Sequence, residues 1–319
     1  MIILKYPENF DVQIDLEQFD GIIPCCLLPT RLFPDSVVAL GVFDGVHIGH
    51  RALLERARKE SILRGVPFGI FTFDTGSGVK DGIRQIYPDS EKLRIFKELG
   101  ADFTVVANFE ALKHQSPKTF VESVILEAIG ASVAVSGFNF RFGRGASGDA
   151  AMLCELMRNH GGEAITVEEV TLDGITVSST EIRKSIYSGD IKKAERMLGA
   201  PYKISGRVEE GDRRGRGMGF PTVNLPIPPE CTLPRLGVYA SRVVIGQESF
   251  KSIANVGICP TFESRGVHLE CYIFDFKGDL YGREVSVELL EFLRDEREFR
   301  TKDELISQIL SDIQRAREL

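Results

Sequence analysis

Residues 37–50 read VVALGVFDGVHIGH, and the reading of this stretch decides the fold of the first half of the chain. Val37-Val38-Ala39-Leu40 is an unbroken apolar run, the pattern of a strand buried on both faces. Asp44-Gly45 supplies a tight turn that brings backbone close to a ligand. From Gly49 to Arg64 the apolar residues Ala52, Leu53, Ala57 and Ile62 recur at helical spacing, with Arg and Glu between them. His47 and His50 stand where this helix begins. Residues three apart share a helix face, so both rings point one way, beside the unpaired N–H groups of the first turn. That place suits an anion, and two imidazoles add donors for charge that develops on a phosphate during transfer. A metal pair or two ordinary surface histidines would show the same spacing. The strand, turn and helix around them, and the lack of a cysteine-rich cluster, favour a phosphate.

Outward from this stretch, strands and helices alternate. Strands are expected at Val37–Val42, Phe68–Phe73, Phe103–Val106, Val133–Val135 and Ala164–Val170. Helices are expected at Ser90–Leu99, Thr119–Ile129 and Met152–His160 between them. Such alternation predicts a doubly wound parallel sheet, with ligands beyond the carboxyl ends of its strands. Near residue 185 the pattern changes. Gly189–Leu198 reads as a short connecting helix, followed by strand-like pieces at Tyr202–Val208, Val238–Ile245, Ser252–Val256, His268–Phe276 and Glu284–Leu290. Gly and Pro punctuate them, which predicts a small barrel. A last helix is signalled by a capping box, Thr301 with Glu304, and by the apolar stripe Leu305, Ile309, Ile313 and Ala316.

The bulk numbers fit two soluble domains. The chain has 319 residues, 43% hydrophobic and 27% charged. MIILKYPENFDVQ is broken by Lys5 and Glu8 and is not read as a secretory leader. No apolar run reaches the roughly 18 residues of a membrane helix, so a cytoplasmic chain without a membrane partner is expected. A net charge of −7 argues against a nucleic-acid partner. Six cysteines at 25, 26, 154, 231, 259 and 271 contain no CxxC and read as reduced, mostly buried thiols.

Three further stretches carry chemistry. SGFNFRFGRGASGD (136–149) follows the fourth expected strand; its glycines admit close backbone approach and its aromatics suit a ring. SSTEIR (178–183) reads as a helix start, with Ser178 and Glu181 as a capping box and hydroxyls and Arg183 able to hold phosphate oxygens. EEGDRRGRGMGFPTVNL (209–225) places Gly211, Gly215, Gly217 and Gly219 in a loop able to wrap phosphates through N–H groups, with Arg213, Arg214 and Arg216 beside them. An arginine-rich RNA loop or a plain hairpin are the competing readings, and the acidic flanks fit RNA poorly. Residues i and i+2 of an extended chain project to one side, so Thr222 and Asn224 present two neutral oxygens suited to Mg²⁺. In VHLECYIFDFKGDLYG, Leu269, Cys271 and Ile273 alternate as a core face. Glu270 then points outward with His268 and Tyr272, where a carboxylate base would be wanted.

The first half resembles the adenylyltransferase domain of the bifunctional bacterial riboflavin kinase/FAD synthetases, through GVFDGVHIGH, GFNFRFGRGASGD and VSSTEIR. GRGMGFPTVNL, NVGICPTF (255–262), LECYIFDFKGDLYG and FLRDEREF (292–299) are similar to the riboflavin kinase module. The resemblance implies a nucleotidylyltransferase-type α/β domain over residues 1–186, a linker helix over 187–200 and a six-stranded barrel kinase over 201–319. It implies that His47 and His50 bind ATP phosphates and the transition state, with Phe43, Asp44 and Gly45 around the nucleotide. Asn139 would sit at a shared ATP/flavin site, Phe138 against the flavin, and Ser179, Thr180 and Arg183 near the phosphates. In the kinase module Gly211, Gly215, Gly217 and Gly219 would hold ATP, Thr222 and Asn224 the Mg²⁺, Glu270 would be the base, and Arg294 with the last helix would lie near the flavin. ATP, riboflavin and FMN are the implied partners, the flavins as substrates and product rather than redox groups. Flavoprotein clients are not readable from the sequence.

One departure stands out. Family members usually carry Pro-His-Pro after the second strand, where this chain reads FTFDTGSGVK with Thr75-Gly76-Ser77. Either glycine N–H groups substitute, or this half is slow or inactive. The alternatives are therefore a riboflavin kinase with a degraded first domain and, from another class, a non-catalytic flavin-binding carrier or regulator. A transferase for a non-flavin acceptor ignores the second half and ranks last.

Overall fold

The structure, a computed structural model, describes residues 1–6, 12–14, 22–23, 33–74, 83–209, 222–258 and 266–319. Internal contacts divide the chain into two units, Met1–Val177 and Ser178–Leu319. The first contains strands β1 (Ile2–Tyr6), β2 (Val12–Ile14), β3 (Ile22–Ile23) and β4 (Val37–Leu40), then helix α1 (Ile48–Arg64), β5 (Phe68–Phe73), α2 (Asp89–Glu98) and β6 (Phe103–Ala107). After two short helical turns, α3 (Phe109–Leu112) and α4 (Pro117–Thr119), a π-helical segment covers Phe120–Ile129. There follow β7 (Val133–Gly137), the small pair β8 (Arg141–Phe142) and β9 (Gly148–Asp149), α5 (Ala150–Asn159), β10 (Glu163–Val167) and the pair β11 (Thr171–Leu172) and β12 (Ile175–Thr176).

The main sheet has the order β10-β7-β4-β5-β6-β1-β2-β3 and is parallel from β10 to β1. Val37–Leu40 is buried at all four positions, as its unbroken apolar run requires of a strand covered on both sides. Val38, Leu40 and Ala134 pack on one face with Phe120, Val124 and Ile125 of the π segment and Leu153 and Met157 of α5. By strand alternation Val37, Ala39, Val133 and Val135 take the opposite face, and α1 packs on β4 and β7 there. The expected doubly wound arrangement is therefore present. The chain steps from β4 through β5 to β6, then returns to lay β7 on the other flank of β4. The switch point lies between the carboxyl ends of β4 and β7, where a crevice opens in such sheets.

The second unit begins with α6 (Ser179–Ser188) and α7 (Ile191–Leu198). Its strands are β13 (Tyr202–Arg207), β14 (Thr222–Pro226), β15 (Gly237–Ile245), β16 (Glu248–Ile258), β17 (Val267–Ile273) and β18 (Glu284–Arg294), and α8 (Lys302–Glu318) ends the chain. They form one antiparallel sheet in the order β13-β18-β15-β16-β17-β14. The sheet curls until the Glu209 N–H, just past β13, donates to the Asn224 carbonyl of β14 at 3.0 Å, which joins its two edges. The small barrel expected from the strand pattern, with the six strands that the resemblance implies, is thus observed as one curled antiparallel sheet. On its outside, the half-buried Ile309 and Ile313 and the buried Ala316 of α8 pack against Val238, Ala240, Ile253 and Leu293. The N-cap half of each expected capping box is observed: Ser178 Oγ accepts from Glu181 N at 3.3 Å and Thr301 Oγ1 from Glu304 N at 3.2 Å, while Glu181 binds Lys184 and Glu304 accepts from Arg300 N at 3.0 Å.

Candidate active sites

At the carboxyl end of β4 the backbone leaves the sheet in an unusual path. Phe43 has φ 55°, Gly45 φ 79° and Val46 φ 42°. Left-handed backbone at a buried Phe and a β-branched Val costs of order 1–3 kcal/mol each and persists only where the surroundings enforce it. Several contacts do so here. Asp44 Oδ1 accepts from Ile86 N at 2.8 Å, and Thr72 Oγ1 donates to the Val42 carbonyl at 2.9 Å. A Cβ on Gly45 would lie 2.7 Å from Ile86 Cδ1, so the turn also needs glycine for space.

The turn delivers His47 to the N-cap of α1, where its Nδ1 accepts from His50 N at 3.3 Å. The two imidazoles stack with centroids 3.5 Å apart and planes 18° from parallel. The shared face inferred from their spacing is observed. Burial lowers the pKa of His47 from 6.5 to about 4. His50 is held well below its usual range by burial first, then by His47 and Lys92. Both rings are neutral at pH 7 and act as hydrogen-bond partners rather than cations. His50 Nδ1 is buried and has no partner among the described residues. The first turn of α1 contains no acidic residue of its own to compete for its N–H groups.

Phe43 is 1% exposed; its ring lies edge-on to His50, with centroids 5.3 Å apart, and to Phe96 of α2 at 5.7 Å. Only its backbone is left for a nucleotide. Across the switch point, Phe138 and Asn139 follow β7 directly and are exposed, with the Phe138 N–H bonded to the Val167 carbonyl at 2.9 Å. The His-bearing turn and the Phe138-Asn139 turn thus leave adjacent strands at the same edge of the sheet. Ser179, Thr180 and Arg183 lie in the first turns of α6, in the second unit. Thr75-Gly76-Ser77 lies outside the described residues.

In the barrel, Leu269, Cys271 and Ile273 of β17 are buried and the residues between them half-buried, as the alternation predicts. Glu270 stands outward. On one side it pairs in register with Asn224 of β14, on the other with Asn255 of β16. Thr222 Oγ1 donates to Glu270 Oε1 at 2.6 Å. Thr222, Asn224 and Glu270 are therefore one cluster. The Thr222 hydroxyl spends its proton on the carboxylate, which leaves its lone pairs for a cation. Asn255 was not singled out from the sequence; its amide donates to Glu296 Oε1 at 3.0 Å, and a Cβ on Gly257 would lie 2.4 Å from that same oxygen.

Arg294 ends β18 with its guanidinium on Asp312 of α8, Nε at 2.9 Å and Nη2 at 2.8 Å. Asp312 is 1% exposed and also accepts from Gln308 Nε2 at 2.7 Å. Arg294 fastens the last helix to the barrel. Gly211, Gly215, Gly217 and Gly219, with Arg213, Arg214 and Arg216, lie outside the described residues. Of the cysteines, Cys154, Cys231 and Cys271 are described, the last two buried; Cys25, Cys26 and Cys259 lie outside the described residues. Among the described residues no group of three or more His, Cys, Asp or Glu is arranged to hold a metal ion.

Comparison with known proteins follows the same division. The FAD synthetase family model matches residues 31–181 and the riboflavin kinase family model residues 198–319. The bifunctional riboflavin kinase/FMN adenylyltransferase of Listeria monocytogenes is 32% identical over 290 residues, 89% of this chain and 92% of that protein. The protein of the same name from Escherichia coli K12 is 33% identical over 288 residues, 88% and 92% of the two chains. That from Bacillus subtilis is 32% identical over 290 residues, 88% and 91%. A crystal structure from Streptococcus pneumoniae, of a protein called a macrolide-efflux protein, superposes with a TM-score of 0.79 at 32% identity, over 89% of this chain and 94% of that one. That word describes the Streptococcus protein; here no described helix is long and apolar enough to cross a membrane.

Proposed function

The chain belongs to the bifunctional riboflavin kinase/FMN adenylyltransferase family, and from that premise we propose which of its residues perform the two reactions. The chain is an enzyme that phosphorylates riboflavin to FMN with ATP and adenylylates FMN to FAD with release of pyrophosphate. We assign the first reaction to residues 201–319, the second to residues 1–186, and a connecting role to 187–200. The spans of the two family matches support this division.

For phosphorylation, the Glu270 carboxylate takes the proton of the riboflavin 5′-hydroxyl as its oxygen attacks the γ-phosphorus, and ADP leaves. Thr222 holds one carboxylate oxygen by its hydrogen bond, which aims the other at the acceptor. Mg²⁺ enters with ATP as part of the substrate. Thr222 Oγ1 and Asn224 Oδ1 offer it neutral oxygens beside Glu270, a set that fits a hard cation which keeps its waters and bridges phosphates. Gly211, Gly215, Gly217 and Gly219 wrap the phosphates, and Arg294 lies at the flavin.

For adenylylation, an FMN phosphate oxygen attacks the α-phosphorus of ATP, a P–O–P bond forms and pyrophosphate leaves. His47, His50 and the N–H groups at the start of α1 hold the oxygens that gain charge. Phe43, Asp44 and Gly45 shape the turn around the nucleotide, with Asn139 and Phe138 across the switch point. We place the enzyme in the cytoplasm, with no nucleic-acid or membrane partner.

The observation that carries this reading is that one chain holds both a stacked, neutral histidine pair at a sheet switch point and a Thr222–Glu270 pair on a barrel wall. A chromatographic assay tests it, with Mg-ATP and riboflavin in one tube and Mg-ATP and FMN in another. FAD in both tubes is expected. FMN from riboflavin with no FAD in either tube would leave only the kinase. No product, with tight flavin binding, would make the chain a carrier.

A further inference from the structure

A nucleoside triphosphate brings several negative charges, and the His47/His50 pair meets them with none, since both rings are neutral. The N-terminus of α1 adds about half a charge. A full positive charge stands close by on α2. Lys92 and Phe96 are four residues apart and share one face of that helix. The Phe96 ring meets the edge of Phe43, which meets His50. Lys92 therefore enters the same wall, one helical turn from Phe96. It is 3% exposed, an unusual state for a lysine. Its Nζ donates to the Phe73 carbonyl at 3.1 Å and lies 2.9 Å from Asp89 Oδ1. Phe73 is the last residue of β5, the neighbour of β4, so this ammonium sits at the ligand edge of the sheet.

An ammonium has three N–H donors. One is given to the Phe73 carbonyl, the second faces Asp89 as an ion pair, and no hydrogen bond to a described residue uses the third. His50 Nδ1 is likewise buried and unpartnered. Buried polar groups are nearly always satisfied, so two open groups in one wall point to something that binds there. A merely structural tie between α2 and β5 needs only one neutral donor, and a buried charge with a single half-open carboxylate partner is a costly way to make it.

We propose that Lys92 is a further residue of the adenylyl-transfer site, giving its third N–H to phosphate oxygens of the nucleoside triphosphate beside His50. This rests on the reading of His47 and His50 given above. As the bond from the α-phosphorus to pyrophosphate breaks, the charge gathering on the leaving oxygen is met by the ammonium. Its effect on His50 fits the same placement, since Lys92 is one of the groups that hold that ring neutral.

The test uses the full chain and both assays on each preparation. Lys92→Met keeps the aliphatic stem and removes the charge; it should lower FAD formation from FMN about 100-fold and leave FMN formation from riboflavin within twofold. Lys92→Ala should recover part of the loss when propylammonium is added to the buffer, a rescue that a lost structural tie would not show. FAD formation within threefold of the unaltered chain in Lys92→Met, while His47→Ala with His50→Ala abolishes it, would overturn the role of Lys92 and leave the histidine site standing. Unchanged FAD formation in all three would remove the site reading itself. Should Lys92→Met fail to fold, the unaltered protein answers instead. In ¹⁵N-lysine-labelled chain, inorganic pyrophosphate should shift the Lys92 ammonium signal along with the His50 ring signals. A shift at His50 alone would overturn the proposal, and a shift at neither would sink the site.

Discussion

The two sites solve one problem, the handling of ATP phosphates, with opposite means. In the α/β unit the chemistry sits on loops beyond the strand ends, on strained backbone, with His47 buried, His50 half-buried and both rings neutral. In the barrel it sits on the strands themselves. Glu270, Asn224 and Thr222 project from a pleated wall and remain half-exposed. The difference follows from the sheets. A parallel strand covered on both faces has no free face for polar groups, so function moves to its ends. An antiparallel barrel strand has an inside and an outside, and the outside can carry a carboxylate at every second residue.

The strongest way to break this comparison is to cut each site and read both reactions. His47→Ala with His50→Ala should lower FAD formation at least about 10³-fold, because two donors to the developing charge are lost. FMN formation should stay within twofold; the same chromatographic assay reads both, and unchanged FAD output would remove these rings from the chemistry. Glu270→Gln should lower FMN formation about 10²–10⁴-fold by removing the base, with FAD formation from supplied FMN intact. Loss of both activities in a folded Glu270→Gln chain would contradict the separation of the sites.

What could be read without coordinates tracks the same contrast. The apolar run at 37–40, the two helix N-caps and the alternation at 269–273 are local patterns, and each appears where expected. The histidine pair was legible because three-residue spacing on a helix fixes a face. Lys92 was not. On a helix of mixed charge a lysine reads as solvent-facing, and only the tertiary contacts of Phe96 and Phe73 show it turned inward. Asn255 pairs with Glu270 across strands, a register that no single stretch reveals. β1 escaped notice because Lys5 breaks its apolar pattern, yet it pairs in parallel with β6. Arg294 was marked for a flavin, and its partner Asp312 lies 18 residues on, in another element.

That last pair sharpens the barrel side. Arg294→Met leaves the Asp312 carboxylate buried with the Gln308 amide as its remaining side-chain partner. Breaking one partner of a buried pair costs about 3–5 kcal/mol, read as an earlier urea transition of the second unit. Normal unfolding would show that Asp312 does not depend on Arg294, and an unchanged KM for riboflavin would remove Arg294 from the flavin.

The smallest effect concerns pH and separates the units again. His47 is near 4 in the folded chain and 6.5 when free, so the unfolded state binds more protons between those values. Stability from this group is therefore complete above pH 6.5 and declines as pH falls toward 4. The full difference is worth about 3 kcal/mol, and His50, shifted in the same direction, adds to it. Urea unfolding at pH 7.5 and at pH 5 should show the first unit weakened at the lower pH, and His47→Ala should flatten that dependence. An equal acid loss in the His47→Ala chain would place its origin elsewhere, and would weaken the contrast between a buried neutral imidazole site and an open carboxylate one.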